Sequence, residues 1–160
     1  MITVIDGDLL TAGESVIGHQ TNCHGVMGAG VALQLKRKYP HMFDDYRQHC
    51  NNNHCAGTTR LFRLKNGQYI ANIFGQYGTG FGKQTDEEML ECAVNDLIRQ
   101  MKELGLTTLA LPYGIGCGLG GGEWKKVYGI LVKCFTDSEA DDSAQPIDVV
   151  LYKLESGWKM

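Results

Sequence analysis

At 160 residues, the chain is long enough for one domain that buries roughly 70% of the surface exposed by its unfolded form. The formal net charge of −3, without a run of basic residues, argues against tight nonspecific nucleic-acid binding. No apolar stretch approaches the roughly 20 residues that cross a membrane, and residues 1–6 lack the pattern of a signal peptide. These features predict a cytoplasmic protein without a membrane partner.

The first half of the chain alternates strand and helix signals. Residues 1–5 and 15–20 are rich in β-branched residues and predict two short strands. Apolar residues at helical spacing predict a helix over residues 31–39, which Pro40 ends. A second short helix is predicted over residues 41–50.

A β-hairpin and the longest helix follow. An Asn-Gly pair between residues 59–64 and residues 68–74 predicts the hairpin. Thr85 followed three residues later by Glu88 predicts a capping box, with Thr85 at the helix N-cap. Gly105 is predicted to end this helix.

The last part of the chain predicts two more strands around one helix. Residues 107–111 are two threonines followed by three apolar residues, a pattern that predicts a strand in the middle of the sheet. A helix over residues 123–135, a solvated loop over residues 136–145 and a strand over residues 147–154 complete the chain. The order β-β-α-α-β-β-α-β-α-β predicts one α/β domain with a mixed sheet between helices.

Glycine-rich turns join a strand to a helix at two places, which we call the first cradle (residues 22–30) and the second cradle (residues 114–122). Glycine adopts positive φ and lets a ligand approach the backbone closely. A helix start adds unpaired N–H groups and the positive end of its dipole, which favour an anion such as phosphate. Two cradles therefore suggest a ligand with two phosphates. We expect both, with the loop at residues 6–9, at the C-terminal ends of the central strands.

Two other phosphate-binding motifs fit the sequence poorly. Residues 116–121 match the pattern G-x-G-x-x-G, but only one strand follows them, and it carries no acid where a dinucleotide-binding fold needs one. A Walker loop requires Gly-Lys-Ser/Thr, which the chain lacks.

Four segments together resemble the macrodomain family, which binds ADP-ribose. They are residues 7–9, 22–32 and 114–118, together with Trp124. The resemblance spans nearly the whole chain and implies a single three-layer α/β/α macrodomain over residues 1–160. Its central sheet would be mixed, mostly parallel and of about six strands.

The same resemblance implies how each segment would contact ADP-ribose. Asp8 would accept a hydrogen bond from the adenine amino group, and Tyr152 would lie against the adenine ring. Asn22 would contact the distal ribose, and the backbone of the two cradles would wrap the diphosphate. The residues assigned to ADP-ribose in this way are Asp8, Leu9, Asn22, Gly28, Ala29, Gly30, Val31, Ile115, Gly116, Cys117, Gly118, Leu119 and Tyr152.

Within the family, the resemblance favours one catalytic branch over another. The branch that removes ADP-ribose from acidic side chains uses a lysine and an aspartate, where this chain has Gly75 or Gln76 and Gly120. Residues 19–25 are instead similar to the branch that hydrolyses ADP-ribose 1''-phosphate. In that reading His19 is the nucleophile or general acid/base, acting with Asn22 and needing no metal or other cofactor.

Other interpretations stay open from the sequence. His19 at a strand end also fits a structural histidine bonded to the backbone. The domain could be a catalytically silent reader of ADP-ribose on a macromolecular partner. It could also hydrolyse an ADP-ribosyl or O-acetyl ester, with water positioned by Asn22 and the substrate's own phosphate.

The cysteines predict neither a disulfide framework nor a metal site. Six are present without a CxxC pair, and in a cytosolic chain they are expected to act as small buried hydrophobic residues. Residues 49–55 hold two histidines and two cysteines, but no second ligand pair with zinc spacing follows them.

Overall fold

The computed structural model describes residues 1–80, 82–118, 120–141 and 144–154, and one six-stranded sheet organises them. β3 is antiparallel to β4, and every other pair of neighbours is parallel. In spatial order the strands run β1-β6-β5-β2-β4-β3. Their bounds are β1 Ile2–Asp6, β2 Val16–Gln20, β3 Thr59–Arg63, β4 Tyr69–Ile73, β5 Thr108–Pro112 and β6 Asp148–Lys153.

Four helices cover the two faces of this sheet: α1 Gly30–Lys38, α2 Pro40–Asn52, α3 Glu87–Leu104 and α4 Trp124–Ser138. α1 and α2 pack with Ile17 of β2 in one core cluster. α3 and α4 pack with Val16 of the same strand in another. Since successive side chains of a strand point to opposite faces, adjacent residues of β2 serve two different cores. The predicted mixed, mostly parallel sheet in a three-layer arrangement is confirmed.

Local signals set most of the element ends as expected. Pro40 occupies the first turn of α2, where its missing N–H costs no hydrogen bond. Gly105 ends α3 in the left-handed conformation, with φ of 70°. α4 continues to Ser138, so the loop predicted from residue 136 begins later.

The predicted N-cap of α3 is wrong by one residue. Asp86 occupies that position, and its side chain accepts a hydrogen bond from the N–H of Met89. Thr85 turns inward instead and is 3% exposed. Aspartate and threonine are both good N-caps, so local pattern alone does not distinguish them.

None of the helices in the described ranges combines the length and apolar character that a bilayer crossing needs.

Candidate functional site

The two glycine-rich cradles lie side by side at one edge of the sheet. β2 and β5 are parallel neighbours, with Val16 opposite Leu109 and Ile17 opposite Ala110. The chain leaves both strands at the same end, so the loops that follow them meet there. This is the C-terminal edge at which open α/β sheets bind ligands.

The first cradle ends in an open helix start. Ala29 is the N-cap of α1 and has an extended backbone without a side-chain hydrogen bond to the helix. Gly30 begins the helix with φ of 58°, and nothing lies within 4 Å of the position a Cβ would take there. Gly28, Ala29 and Gly30 are exposed. The first N–H groups of α1, including that of Val31, are therefore available to an anion.

Asn22 shapes the loop that leads into this helix. Its amide donates to the carbonyl of Val26 at 2.7 Å, and its Oδ1 accepts from the N–H of His24 at 3.0 Å. The hydroxyl of Tyr46 donates to the same Oδ1 at 2.9 Å. Asn22 is 7% exposed, so its side chain serves mainly to hold the loop in position.

The second cradle is a compact turn with inward side chains. The N–H groups of Ile115 and Cys117 close it onto the carbonyls of Pro112 and Gly114. The side chains of Ile115 and Cys117 are each 2% exposed, and burial raises the pKa of the Cys117 thiol to about 11. Only backbone is thus presented to a ligand by these two residues. Leu119, also predicted to bind, lies outside the described residues.

Two N–H groups of this cradle remain open. Gly116 has φ of 77°, and its carbonyl accepts from Gly122. No acceptor among the described residues pairs with the N–H of Gly116 or Gly118. Gly118 is exposed, and no atom lies within 4 Å of a Cβ built there. A ligand can therefore approach this part of the backbone closely.

Two polar side chains that the sequence analysis did not assign to ligand binding support the second cradle from below. Gln20 at the end of β2 donates through Nε2 to Thr85 Oγ1 at 2.9 Å, and Thr85 donates to the carbonyl of Gly116 at 2.6 Å. A Cβ at Gly120 would lie 2.6 Å from Thr85 Oγ1 and 3.1 Å from Gln20 Nε2. Glycine is therefore required there by packing. Both side chains belong to segments with a recognised pattern, but neither pattern indicates this contact between segments distant in the sequence.

Asp8 follows β1, and Tyr152 lies on the neighbouring strand β6, which is next to β5. Asp8 is exposed, and its Oδ1 accepts from the N–H of Leu10, capping a short 3-10 turn. The Tyr152 ring packs against Gly7, and its hydroxyl donates to Glu14 at 2.6 Å. Burial and that carboxylate raise the pKa of Tyr152 to about 12. Leu9 is 5% exposed and packs in the core, so only its backbone faces outward.

His19, the predicted catalyst, is buried inside the sheet layer. It is 2% exposed, and its Nε2 lies 2.7 Å from Oδ1 of Asn72 on β4. Burial lowers the pKa of His19 to about 4, so the imidazole is uncharged at neutral pH. Its side chain belongs to the face that α1 and α2 cover, whereas that of Gln20 belongs to the opposite face. This environment fits the structural histidine that the sequence left as an alternative, with an amide rather than a backbone carbonyl as partner.

Among its described residues, the loop after β4 supplies polar atoms, and its lysine is ion-paired. Gln76 accepts from Gln20 Nε2 at 2.7 Å and donates to the carbonyl of Gly78 at the same distance. The ammonium group of Lys83 pairs with Glu87 four residues on. Gly75 has the side chain of Gln20 where its own Cβ would lie, 2.5 Å from Oε1.

No group of three or more potential metal ligands occurs among the described residues. All six cysteines are free thiols. Cys55, Cys117 and Cys134 are buried as expected, but Cys92 is exposed, which the sequence did not predict.

Comparison with known proteins gives a match to one family model and several similar relatives. The family model described as Macro domain matches residues 19–131. A DNA ADP-ribosyl glycohydrolase of Mycobacterium tuberculosis is 32% identical over 98% of this chain and 43% of its own length. An ADP-ribose 1''-phosphate phosphatase of Scheffersomyces stipitis is 30% identical over 83% of this chain and 94% of its own length.

Among solved structures, the macrodomain of Mycobacterium tuberculosis DarG superposes with a TM-score of 0.82. It is 31% identical, and the match covers 95% of this chain and 97% of that one. This chain therefore spans less than half the length of the curated glycohydrolase that it resembles, and it corresponds to that protein's macrodomain.

Proposed function

The chain belongs to the Macro domain family, and from this premise we propose that it binds ADP-ribose and hydrolyses the bond between ADP-ribose and an attached group. The observation that carries the proposal is the meeting of two backbone cradles at the ends of adjacent parallel strands. Each cradle offers N–H groups without protein acceptors among the described residues, as a diphosphate requires.

The strand order supports one orientation of the bound ligand along the sheet. Along β1-β6-β5-β2-β4 the sheet carries Asp8, Tyr152, the second cradle, the first cradle and Gln76 in turn. Neighbouring strands are about 4.8 Å apart, so this row extends over about 19 Å. Adenine lies beside Asp8 and Tyr152 in our proposal, the diphosphate spans the cradles, and the distal ribose lies against the loop that begins at Asn22.

Hydrolysis would take place at C1'' of the distal ribose. Water adds to this carbon as the bond to the attached group breaks, and the water proton passes to the leaving atom. The positions at which one family branch carries a lysine and an aspartate are Gly75 or Gln76 and Gly120 in this chain. We propose that the substrate's own phosphate and the first-cradle backbone orient the water. Asn22 then acts as a positioning residue, because its amide holds the loop.

Burial argues against His19 as the catalyst. A nucleophile must reach the substrate, but His19 is 2% exposed. A general acid must carry a proton at working pH, but a pKa of about 4 leaves the imidazole unprotonated. This favours ADP-ribosyl hydrolysis over a phosphatase reaction through His19.

DNA-linked ADP-ribose is the first substrate to test. The relative with the broader match to this chain is a DNA ADP-ribosyl glycohydrolase. Phosphatase activity on ADP-ribose 1''-phosphate is the second candidate, because the phosphatase relative matches over 94% of its own length.

A substrate panel would test both candidates. Purified protein is incubated with an ADP-ribosylated single-stranded oligonucleotide, ADP-ribose 1''-phosphate and O-acetyl-ADP-ribose, and released ADP-ribose is separated by chromatography. Release from the oligonucleotide is expected. Release from the 1''-phosphate alone would favour the second candidate. Binding of ADP-ribose without any release would identify a reader module, and absence of binding would refute the proposal.

A further inference from the structure

A cationic depression adjoins the first cradle on its outer side. It encloses about 300 Å³ between the loop after β2 and the helices α1 and α2. Residues 24–28 of the first cradle also form one wall of this depression. The lining residues are His24, Gly25, Val26, Met27, Gly28, Lys36, Phe43 and Arg47. They include three side chains that can carry positive charge and none that can carry negative charge, although the whole chain has a net charge of −3.

Packing fixes both permanent cations at the rim. The aliphatic stem of Arg47 lies under Gly25, whose Cβ would be 3.3 Å from Arg47 Cγ. The ammonium group of Lys36 lies 4.2 Å from the centre of the Phe43 ring. The Phe43 ring in turn contacts Tyr46 in the core, with 6.1 Å between ring centres. The Lys36 ammonium group is thus held beside a partly exposed aromatic ring, and the stem of Arg47 is held against the loop.

Neither Lys36 nor Arg47 has a carboxylate partner in the part of the chain that the structure describes. Arg60 nearby, in contrast, is paired with Asp45. Val26 at the rim is 47% exposed. Two unpaired cations, an aromatic ring and an apolar rim are the combination by which proteins hold single-stranded nucleic acid.

We propose that this depression binds the phosphodiester backbone of a nucleic-acid strand that carries the ADP-ribosyl group. The inference rests on the proposed function, because the distal ribose would then end at the loop that walls the depression. Lys36 and Arg47 each contact a phosphate, and Phe43 offers a face to a base next to the modified one. The cradles recognise ADP-ribose, and the depression recognises the strand to which it is attached.

A double charge-reversal variant tests whether recognition of the nucleic-acid strand is separate from recognition of ADP-ribose. The variant Lys36→Glu/Arg47→Glu is compared with Lys65→Glu/Lys125→Glu, which has the same net charge. The control residues are exposed and lie on the β3–β4 turn and on α4. Binding of a single-stranded oligonucleotide with one ADP-ribosylated base is read by stopped-flow anisotropy, before turnover. Binding of free ADP-ribose is read by calorimetry, and folding by thermal melting.

The Lys36/Arg47 variant is expected to bind the modified oligonucleotide about ten-fold more weakly at low salt, with free ADP-ribose affinity unchanged. Its plot of log K against log salt is expected to be shallower by about 1.4, at about 0.7 per phosphate contact on a single strand. The control pair should behave as the parent protein does. If charge reversal disturbs folding, the milder variant Lys36→Gln is expected to lower the slope by about 0.7.

Three results would overturn the inference. One is an unchanged oligonucleotide affinity in the variant while free ADP-ribose still binds, which leaves the proposed function intact. Another is an equal loss for oligonucleotide and free ADP-ribose. A third is a selective loss for an ADP-ribosylated acidic peptide, which would identify a protein-linked substrate instead. If the parent protein binds no ADP-ribose at all, the proposed function fails and the inference fails with it.

Discussion

The side-chain amide of Gln20 donates a 2.9 Å hydrogen bond to the hydroxyl of Thr85, which in turn donates to the carbonyl of Gly116. The first residue ends the strand before one cradle, and the last belongs to the other cradle. The two cradles are therefore joined by a partly buried polar chain, and their relative position depends on it.

Replacing Thr85 by valine should test this connection. Valine has nearly the same shape but removes one of the two hydrogen bonds to the Gly116 carbonyl, leaving the bond from the N–H of Gly122, so we expect a loss of about 1 kcal/mol in the free energy of unfolding. ADP-ribose affinity should fall as well, because the second cradle loses a support. Urea denaturation and calorimetry measure the two effects. Thr85→Ser keeps the hydroxyl and should retain both properties; equal behaviour of the two variants would contradict the assignment.

Gly120→Ala should damage the second cradle through steric conflict. The new Cβ would lie 2.6 Å from Thr85 Oγ1 and 2.8 Å from the Gly116 carbonyl oxygen. We expect destabilisation of about 1–3 kcal/mol and weaker ADP-ribose binding. Gly129→Ala in α4 is the control, since nothing lies within 4 Å of its Cβ, and it should stabilise the helix by up to about 1 kcal/mol. A Gly120 variant that melts and binds like the parent would refute the packing argument.

The burial of His19 predicts a pH dependence of stability. Above pH 6.5 the imidazole is neutral in both the folded and the unfolded chain. Below pH 6.5 the unfolded chain binds a proton that the folded chain does not bind until about pH 4, so stability falls as pH falls. The contribution of His19 between pH 7 and pH 5 is about 2 kcal/mol. His19→Gln should lack this part of the dependence when urea denaturation curves at the two pH values are compared. A parallel dependence in both proteins would contradict the low pKa.

The same variant should distinguish structural from catalytic roles. Glutamine can still donate to Asn72 but cannot act as a nucleophile or transfer a proton. We expect His19→Gln to release ADP-ribose from the modified oligonucleotide at a rate within a few fold of the parent. A loss of about 100-fold or more in kcat, with ADP-ribose affinity retained, would instead restore His19 as the catalyst.

Removing the Asp8 carboxylate should weaken ADP-ribose binding by about 1–3 kcal/mol, the contribution of a hydrogen bond to a charged group. Asp8→Ala is therefore compared with Asp6→Ala, which removes an exposed carboxylate two residues earlier. Asp8→Asn retains a cap for the 3-10 turn and controls for the hydrogen bond to Leu10. Unchanged affinity in Asp8→Ala, measured by calorimetric titration, would remove adenine from this position.

Most of the fold follows from local patterns in the sequence. The alternating strands, the Asn-Gly hairpin and Pro40 are short-range signals, and the structure has the corresponding elements in the predicted order. The N-cap of α3 was missed because Thr85 and Asp86 are both suitable caps. A contact distant in sequence decided between them, since Thr85 is drawn inward by Gly116.

The backbone of the candidate site could be predicted from the sequence, but the contacts of its side chains could be predicted less well. Clusters of glycine indicate positive φ and room for a ligand to approach the backbone, so both cradles could be predicted from the sequence. The burial of His19 was not, because it depends on Asn72 on β4, more than fifty residues away. Gln20 lay inside a recognised motif, but its partners Gln76 and Thr85 come from a loop whose course no local pattern predicts.

In the proposed binding mode, the row of parallel strands also sets the spacing between the five ligand contacts. The five contacts belong to five different strands or to the loops that follow them, and backbone hydrogen bonds set the distance between neighbouring strands. Substitutions in a loop can change which chemical group binds at one contact, but they cannot alter the distance to the next contact. In the proposed binding mode, a nucleotide with one phosphate more or fewer would therefore place its groups out of register with these contacts, however favourable each separate contact.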